Sequence, residues 1–264
     1  MKVLTIGSGE STEYSIERLR NLNPDIIKFG YAQTYYHLSK EGILFDYLTW
    51  YDPNSIMSSL ELLLKDKRPP KIIIPHILKK IDIKLNPGLT SFIRQRGQEG
   101  IDFYNESVDF LYRKGKIEIR DNIINTRNIP ISHQIFTDIE KRFDGDSIYT
   151  GTVPYDGAHS ESSWARENLF SRLFLPLCHS MGATEVYNIG FDNRGLGFGR
   201  EIPQFHNEEV NIKQALQKFQ TWLDWEKYHG MKIYSVAEDK YTPNNQVLPY
   251  KPLDEITKGN SKQQ

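Results

Sequence analysis

The chain has 264 residues, of which 38% are apolar and 25% charged, with a net charge of −1. That suits one large α/β domain, and the near-zero charge without a long basic run excludes the electrostatic footprint of a duplex-binding protein. A single cysteine, Cys178, excludes an intrachain disulfide.

The chain opens directly on a strand pattern, with no basic segment leading into an apolar one, so no signal peptide is expected. No run approaches the ~18 consecutive apolar residues of a membrane-spanning helix. The expectation is a soluble, cytoplasmic protein. The 15 Tyr and 13 Phe suit a cleft that is both wet and apolar.

Residues 2–7 form a short apolar run ending at glycine, the pattern of a buried first strand. Ser11 or Thr12 is placed to cap a helix over 13–21, with Ile16 and Leu19 inward. Residues 25–30 (DIIKFG) read as a second strand and 35–40 as a short helix. Residues 44–51 (LFDYLTWY) read as a third strand, closed by Asp52-Pro53. A helix follows over 54–65, with Ile56, Leu60 and Leu63 on one face, and residues 71–74 (KIII) make a fourth strand. This alternation predicts a mostly parallel, Rossmann-like sheet with flanking helices.

Residues 79–150 carry a weaker pattern and are expected to form a small irregular insert or lid. Within them 99–112 and 132–142 read as helices, and 116–119 and 123–126 as short strands. Residues 161–181 form an apolar-faced helix that Pro176 should kink and Gly182 should end. Residues 185–190 (EVYNIG) are another strand. A glycine-rich loop over 193–205, a helix over 208–229 and a last strand over 231–236 complete the expected domain, 1–250. The tail 251–264 is expected to be disordered.

The stretch Gly7-Ser8-Gly9-Glu10-Ser11 lets backbone N–H groups approach a ligand, often a phosphate. It departs from the dinucleotide fingerprint. Thr12 stands where a third small residue is wanted, and the second strand ends Phe29-Gly30-Tyr31 without an acid for ribose hydroxyls. A nucleotide phosphate or sugar, or a plain tight turn, fits the loop. Asp52 ends the third strand, where a carboxylate faces either a ligand crevice or a turn before Pro53. His206, beside the long helix, has the chemistry of a general base at neutral pH, although a lone loop histidine is more often bland.

Asp144-Gly145-Asp146 reads as a turn before it reads as a metal clamp. His76, His133, His159 and His179 share no zinc-ligand spacing, so no metal site is assigned. Cys178 lies on an apolar helix face and reads as a core residue. Ser8 and Ser11 lack a nucleophile-elbow pattern.

The order strand–GSGES–helix, FGYAQTYY and LTWYDPN, followed far downstream by Met181-Gly182-Ala183, EVYNIGFD and HNEEVNIKQALQKF, resembles the bacterial lipooligosaccharide sialyltransferases of glycosyltransferase family 42. The likeness lies at both ends of the chain and not in the middle. It implies a nucleotide-binding domain with a small lid and inverting transfer of sialic acid, or another acidic sugar, from a CMP-activated donor to a glycan acceptor. Gly7, Gly9 and Ser11 match the family's opening loop, which usually reads Gly-Asn-Gly-Pro-Ser; Ser8 and Glu10 depart from it. Gln33 matches the second member of an Asn-Gln pair, and Tyr51-Asp52-Pro53 replaces Tyr-Asn-Pro. His206 has the spacing of the family's catalytic histidine to Ile212-Lys213.

Two family features are replaced. Asn168-Leu169-Phe170-Ser171 stands where the family has Thr-Ser-Gly. Asp192-Asn193-Arg194-Gly195 stands where it has a tyrosine pair supporting the leaving phosphate. Arg194 or Arg200 is the candidate to stabilise that phosphate instead. The expected nucleotide-binding set is therefore Gly7, Ser8, Gly9, Ser11, Tyr31, Gln33 and Asp52, with His206, Arg194 and Arg200 catalytic. No cofactor is required, and magnesium is optional. The expected partners are the CMP-linked donor and a glycan; nucleic acid is not, and a peripheral membrane contact or a homo-oligomer stays open. The glycine-led frame also resembles archaeal-type hydroxymethylpterin diphosphokinases, which would need ATP, magnesium and a carboxylate cluster such as Asp52 and Asp192. A non-catalytic nucleotide- or sugar-binding protein is the third reading.

Overall fold

A computed structural model describes residues 1–50, 53–81, 90–120, 123–125, 148–150, 173–192, 196–197, 200–201, 230–246 and 248–257. Contacts divide the chain into two compact units, Met1–Asp46 with Leu177–Gln264, and Tyr47–Pro176. Both are α/β with parallel main ladders, as the alternation of the sequence predicts.

The first unit begins with β1 (Lys2–Ile6), α1 (Glu10–Glu13), α2 (Ile16–Arg20), β2 (Ile26–Tyr31) and α3 (Ala32–Leu38). The single helix expected over 13–21 is two short ones. Ser15 takes a non-helical conformation as the N-cap of α2, and its N–H bonds back to the Thr12 carbonyl at 3.0 Å. Serine favours such cap positions over helix interiors. Ser11 and Thr12 are not caps, because their hydroxyls bond outside the helix. Gly9 is the N-cap of α1 instead.

The second unit holds β3 (Tyr47–Thr49), α4 (Pro53–Lys65), β4 (Lys71–Pro75), α5 (Thr90–Arg113), β5 (Ile117–Arg120), β6 (Ile123–Asn125) and β7 (Ile148–Thr150). β3, β4 and β5 pair in parallel. Ile56, Leu60 and Leu63 are buried on one face of α4, each contributing roughly 1.5–3 kcal/mol by leaving water. Gly97 breaks α5 at φ +62°, which is why the sequence pattern starts its helix only at residue 99. The Trp50 indole donates to the Tyr104 hydroxyl at 3.2 Å, and that hydroxyl donates to the Leu78 carbonyl at 2.8 Å. Two of the largest buried side chains therefore have their polar atoms satisfied. The region expected as a lid falls inside this unit. The expected strand over 44–51 shrinks to three residues, since Asp46 instead clips Lys28 by both backbone and side chain.

The chain continues with α6 (Leu175–Ser180), then β8 (Glu185–Ile189), β9 (Leu196–Gly197), β10 (Arg200–Glu201), β11 (Lys232–Ser235) and α7 (Leu253–Thr257). Gly182, at φ +82°, ends α6 as expected. Its N–H bonds the His179 carbonyl and the Ala183 N–H bonds the Cys178 carbonyl, a left-handed cap that only glycine enters cheaply. The expected disorder of the tail does not hold for residues 251–257. The Lys251 N–H bonds the Ser235 carbonyl at 2.9 Å, and α7 buries Leu253 and Ile256.

In the first unit the parallel ladders run in the order β11, β8, β1, β2. Val3, Leu4, Ile6, Phe29, Val186, Tyr187 and Ile189 are fully buried, the continuous apolar runs of strands covered on both faces. From β1 the chain goes to β2 on one side, while β8 and β11 lie on the other. The order of connection therefore reverses between β1 and β8. Among the described residues, no helix is long and apolar enough to cross a membrane.

Candidate functional site

The carboxyl ends of β1, β2 and β8 carry Gly7–Ser11, Tyr31–Gln33 and Gly190–Asp192 side by side. The reversal between β1 and β8 puts the first and last of these at a topological switch point, where open parallel sheets bind ligands.

The two strand ends interlock. The Gly7 N–H donates to the Ile189 carbonyl and the Gly9 N–H to the Gly190 carbonyl, both at 2.8 Å. Asp192, 3% exposed, accepts the Ser11 N–H at 2.7 Å and the Ser11 hydroxyl at 2.5 Å. The same Ser11 oxygen accepts the Gly190 N–H at 2.9 Å. Ser11 therefore donates twice and accepts once, with no solvent exposure. The Thr12 hydroxyl donates to the Gly7 carbonyl at 3.0 Å. On the far side, the Thr242 hydroxyl donates to the Asp192 carbonyl at 3.3 Å, and the Asn244 amide to the Phe191 carbonyl at 2.9 Å.

This close approach is what the glycines are for. A Cβ on Gly7 would collide with the Gly190 carbonyl oxygen, and one on Gly9 would sit 2.5 Å from an Asp192 carboxylate oxygen. Gly190, at φ +77°, faces Thr12 and Gly7 across the same gap. The loop thus directs most of its donors inward. Asp192 occupies the Ser11 N–H at the start of α1, where an anion would otherwise be drawn. Among the described residues, no acceptor occupies the N–H groups of Ser8 and Glu10, which can meet a ligand.

Tyr31 is the half-buried N-cap of α3, and Gln33 stands half-buried in its first turn. Both lie at the strand ends with the Gly7–Ser11 loop. Arg200 begins β10, which pairs antiparallel with β9, and β9 touches α1. Its backbone is therefore near the loop. Asp52, Arg194 and His206 lie outside the described residues, as does the Asp144–Asp146 stretch. Among the described residues, no group of three or more His, Cys, Asp or Glu side chains is placed to hold a metal. Cys178 is fully buried, and burial pushes its thiol up, in keeping with a core residue.

Sequence reasoning missed the latch of Ser11 to Asp192. The signal was present: both strands end in an apolar residue and glycine, Ile6-Gly7 and Ile189-Gly190. Two such ends on adjacent strands leave room for backbone to touch backbone. Thr12, which breaks the dinucleotide pattern, closes the turn instead.

No family model and no curated protein matches this sequence. Among solved structures, the chain is similar to the sialyltransferase CstII from Campylobacter jejuni in complex with a substrate analogue, cytidine-5'-monophosphate. The identity is 12% and the TM-score 0.42, over 98% of this chain and 87% of that one.

Proposed function

We propose that the chain is an inverting glycosyltransferase that moves an acidic sugar, such as sialic acid, from a CMP-activated donor to a glycan acceptor. The observation that carries the reading is the alignment of Gly7–Ser11, Tyr31–Gln33 and Gly190–Asp192 at the carboxyl ends of adjacent parallel strands, at the switch point. The sequence adds His206, six residues before Ile212-Lys213.

In this reading the nucleotide meets the Ser8 and Glu10 N–H groups, Tyr31, Gln33 and Asp52. His206 takes the proton of an acceptor hydroxyl. That oxygen attacks the anomeric carbon, and the bond from that carbon to the phosphate oxygen breaks. CMP leaves with the bonding pair, and one displacement inverts the centre. Arg194 or Arg200 stabilises the charge that grows on the phosphate. The reading requires no metal. A cytoplasmic location belongs to the same proposal.

The diphosphokinase reading draws on Asp52 and Asp192 for magnesium. The Asp192 carboxylate is already engaged twice by Ser11, which weighs against it.

Thermal-shift binding with CMP, UDP, GDP, ADP and ATP, with and without magnesium, tests the proposal. A ligand that binds only the folded chain raises its melting temperature. A CMP-selective shift independent of magnesium is expected. A shift with ATP and magnesium alone would replace this reading by the diphosphokinase one.

A further inference from the structure

Three residues beyond Ser11, Tyr14 closes α1 with its N–H on the Glu10 carbonyl. It is 61% exposed, a large aromatic surface to leave in water. Its ring lies on that of Tyr241, with centroids 5.0 Å apart and planes at 15°. Tyr241 precedes Thr242, whose hydroxyl donates to the Asp192 carbonyl. Asp192 therefore binds both segments that carry the pair, through Ser11 on one side and Thr242 on the other. The two segments that carry the stacked rings are thus tied to the same latch at the switch point.

The charges around the pair restrict what it can hold. Arg18 and Lys240 both pair with Glu238, at 3.4 and 3.1 Å. Asp239 accepts from the Asn245 amide at 2.7 Å. Glu10 and Glu13, on α1 beside Tyr14, have no cationic partner among the described residues. Lys240 also lies over the Tyr241 ring, 4.9 Å from its centroid, so it is shared between that ring and Glu238, while Glu10 and Glu13 offer carboxylate acceptors. On these segments the carboxylates of Glu10, Glu13, Glu238 and Asp239 outnumber the cations of Arg18 and Lys240, which disfavours a phosphate, whereas hydroxyl groups find acceptors. A flat apolar face ringed by hydroxyl donors is the description of a neutral pyranose.

We propose that the Tyr14–Tyr241 pair is a carbohydrate platform, on which a neutral sugar ring stacks against the open face of Tyr14 while its hydroxyls donate to Glu10 or Glu13. Its use as the acceptor subsite rests on the transferase reading; its binding of sugar does not.

The test is ligand-observed saturation transfer with methyl β-galactoside and cellobiose, with cytidine and adenosine run alongside, on wild type, Tyr14→Ala and Tyr14→Phe. Both sugars are expected to receive saturation from the wild type. Tyr14→Ala should weaken their binding about fivefold, the loss of one aromatic contact, and Tyr14→Phe should retain it. Because Tyr14 is exposed, the circular dichroism of both variants should match wild type, and Tyr14→Ala should lower the melting temperature only by the loss of the ring stack. CMP titrated into Tyr14→Ala should bind as it does to wild type. Sugar binding that is absent, or unchanged in Tyr14→Ala, overturns the platform. Nucleoside binding that depends on Tyr14 while sugar binding does not overturns the ligand class. If CMP fails to bind wild type but the sugars bind through Tyr14, the platform stands and the donor assignment falls.

Discussion

Ser11 and Asp192 lie 181 positions apart and are joined twice, by the Ser11 N–H at 2.7 Å and its hydroxyl at 2.5 Å. With Gly190 donating to the same serine oxygen, one small side chain ties the end of β1 to the end of β8. Removing it with Ser11→Ala leaves a buried carboxylate oxygen and a buried N–H short of a partner. A loss of about 1–3 kcal/mol in urea unfolding is expected. The double variant with Asp192→Asn should cost less than the sum of the singles. Strict additivity would show that the two residues do not share one network.

Gly190→Ala should cost more than a change of backbone preference. Gly42 has nearly the same φ, +76° against +77°, but open space where a Cβ would go. Gly42→Ala should therefore lose only the left-handed penalty, about 1–2 kcal/mol. Gly190→Ala adds collisions with Thr12 and Gly7, and overpacking of that kind costs a further ~1–3 kcal/mol. Equal losses in the two variants would mean that the strand ends do not touch.

The Tyr187 hydroxyl donates to Glu185 at 2.5 Å and holds that carboxyl below its ordinary range, with Lys2 assisting at 4.0 Å. A carboxylate whose folded pKa is depressed adds stability above its unfolded pKa of about 4.3 and loses it as pH falls through the folded value. Tyr187→Phe should raise the Glu185 pKa in an NMR titration. It should also flatten the acid side of the stability curve by under about 1 kcal/mol, since Glu185 is partly exposed. An unmoved titration would contradict the assigned cause.

Cys178 is wholly buried, and burial alone pushes its thiol well above the ordinary range. Ellman's reagent should label it only as fast as the chain unfolds, and fully in denaturant. Rapid labelling of the native protein would show an accessible thiol.

Much of the first unit was legible because its strands are short apolar runs that end at glycine. Ile6-Gly7 and Ile189-Gly190 each mark a strand end, and Phe29-Gly30 falls one residue short of the end of β2. Burial on both faces leaves no other use for so many β-branched residues in a row. The partner of the Gly7–Ser11 loop was not legible. Its donors look free in a sequence window of ten residues, and their acceptors belong to a strand that begins at Glu185. Local pattern also misplaced the helix start at 13, because Ser11 and Thr12 look like caps until their hydroxyls find Asp192 and Gly7. The tail 251–264 read as disordered, yet Leu253 and Ile256 suffice to seat a short helix over 253–257. The stacking of Tyr14 on Tyr241 joins segments far apart in the chain and has no local signature at all.

The most direct measurement is release of CMP from a CMP-linked acidic sugar, with and without a glycan acceptor, by the wild type and His206→Ala. The account predicts acceptor-dependent release without added metal. It also predicts a loss of about 10²-fold or more in His206→Ala, the usual contribution of a general base. No release, or equal release by the two proteins, would contradict it.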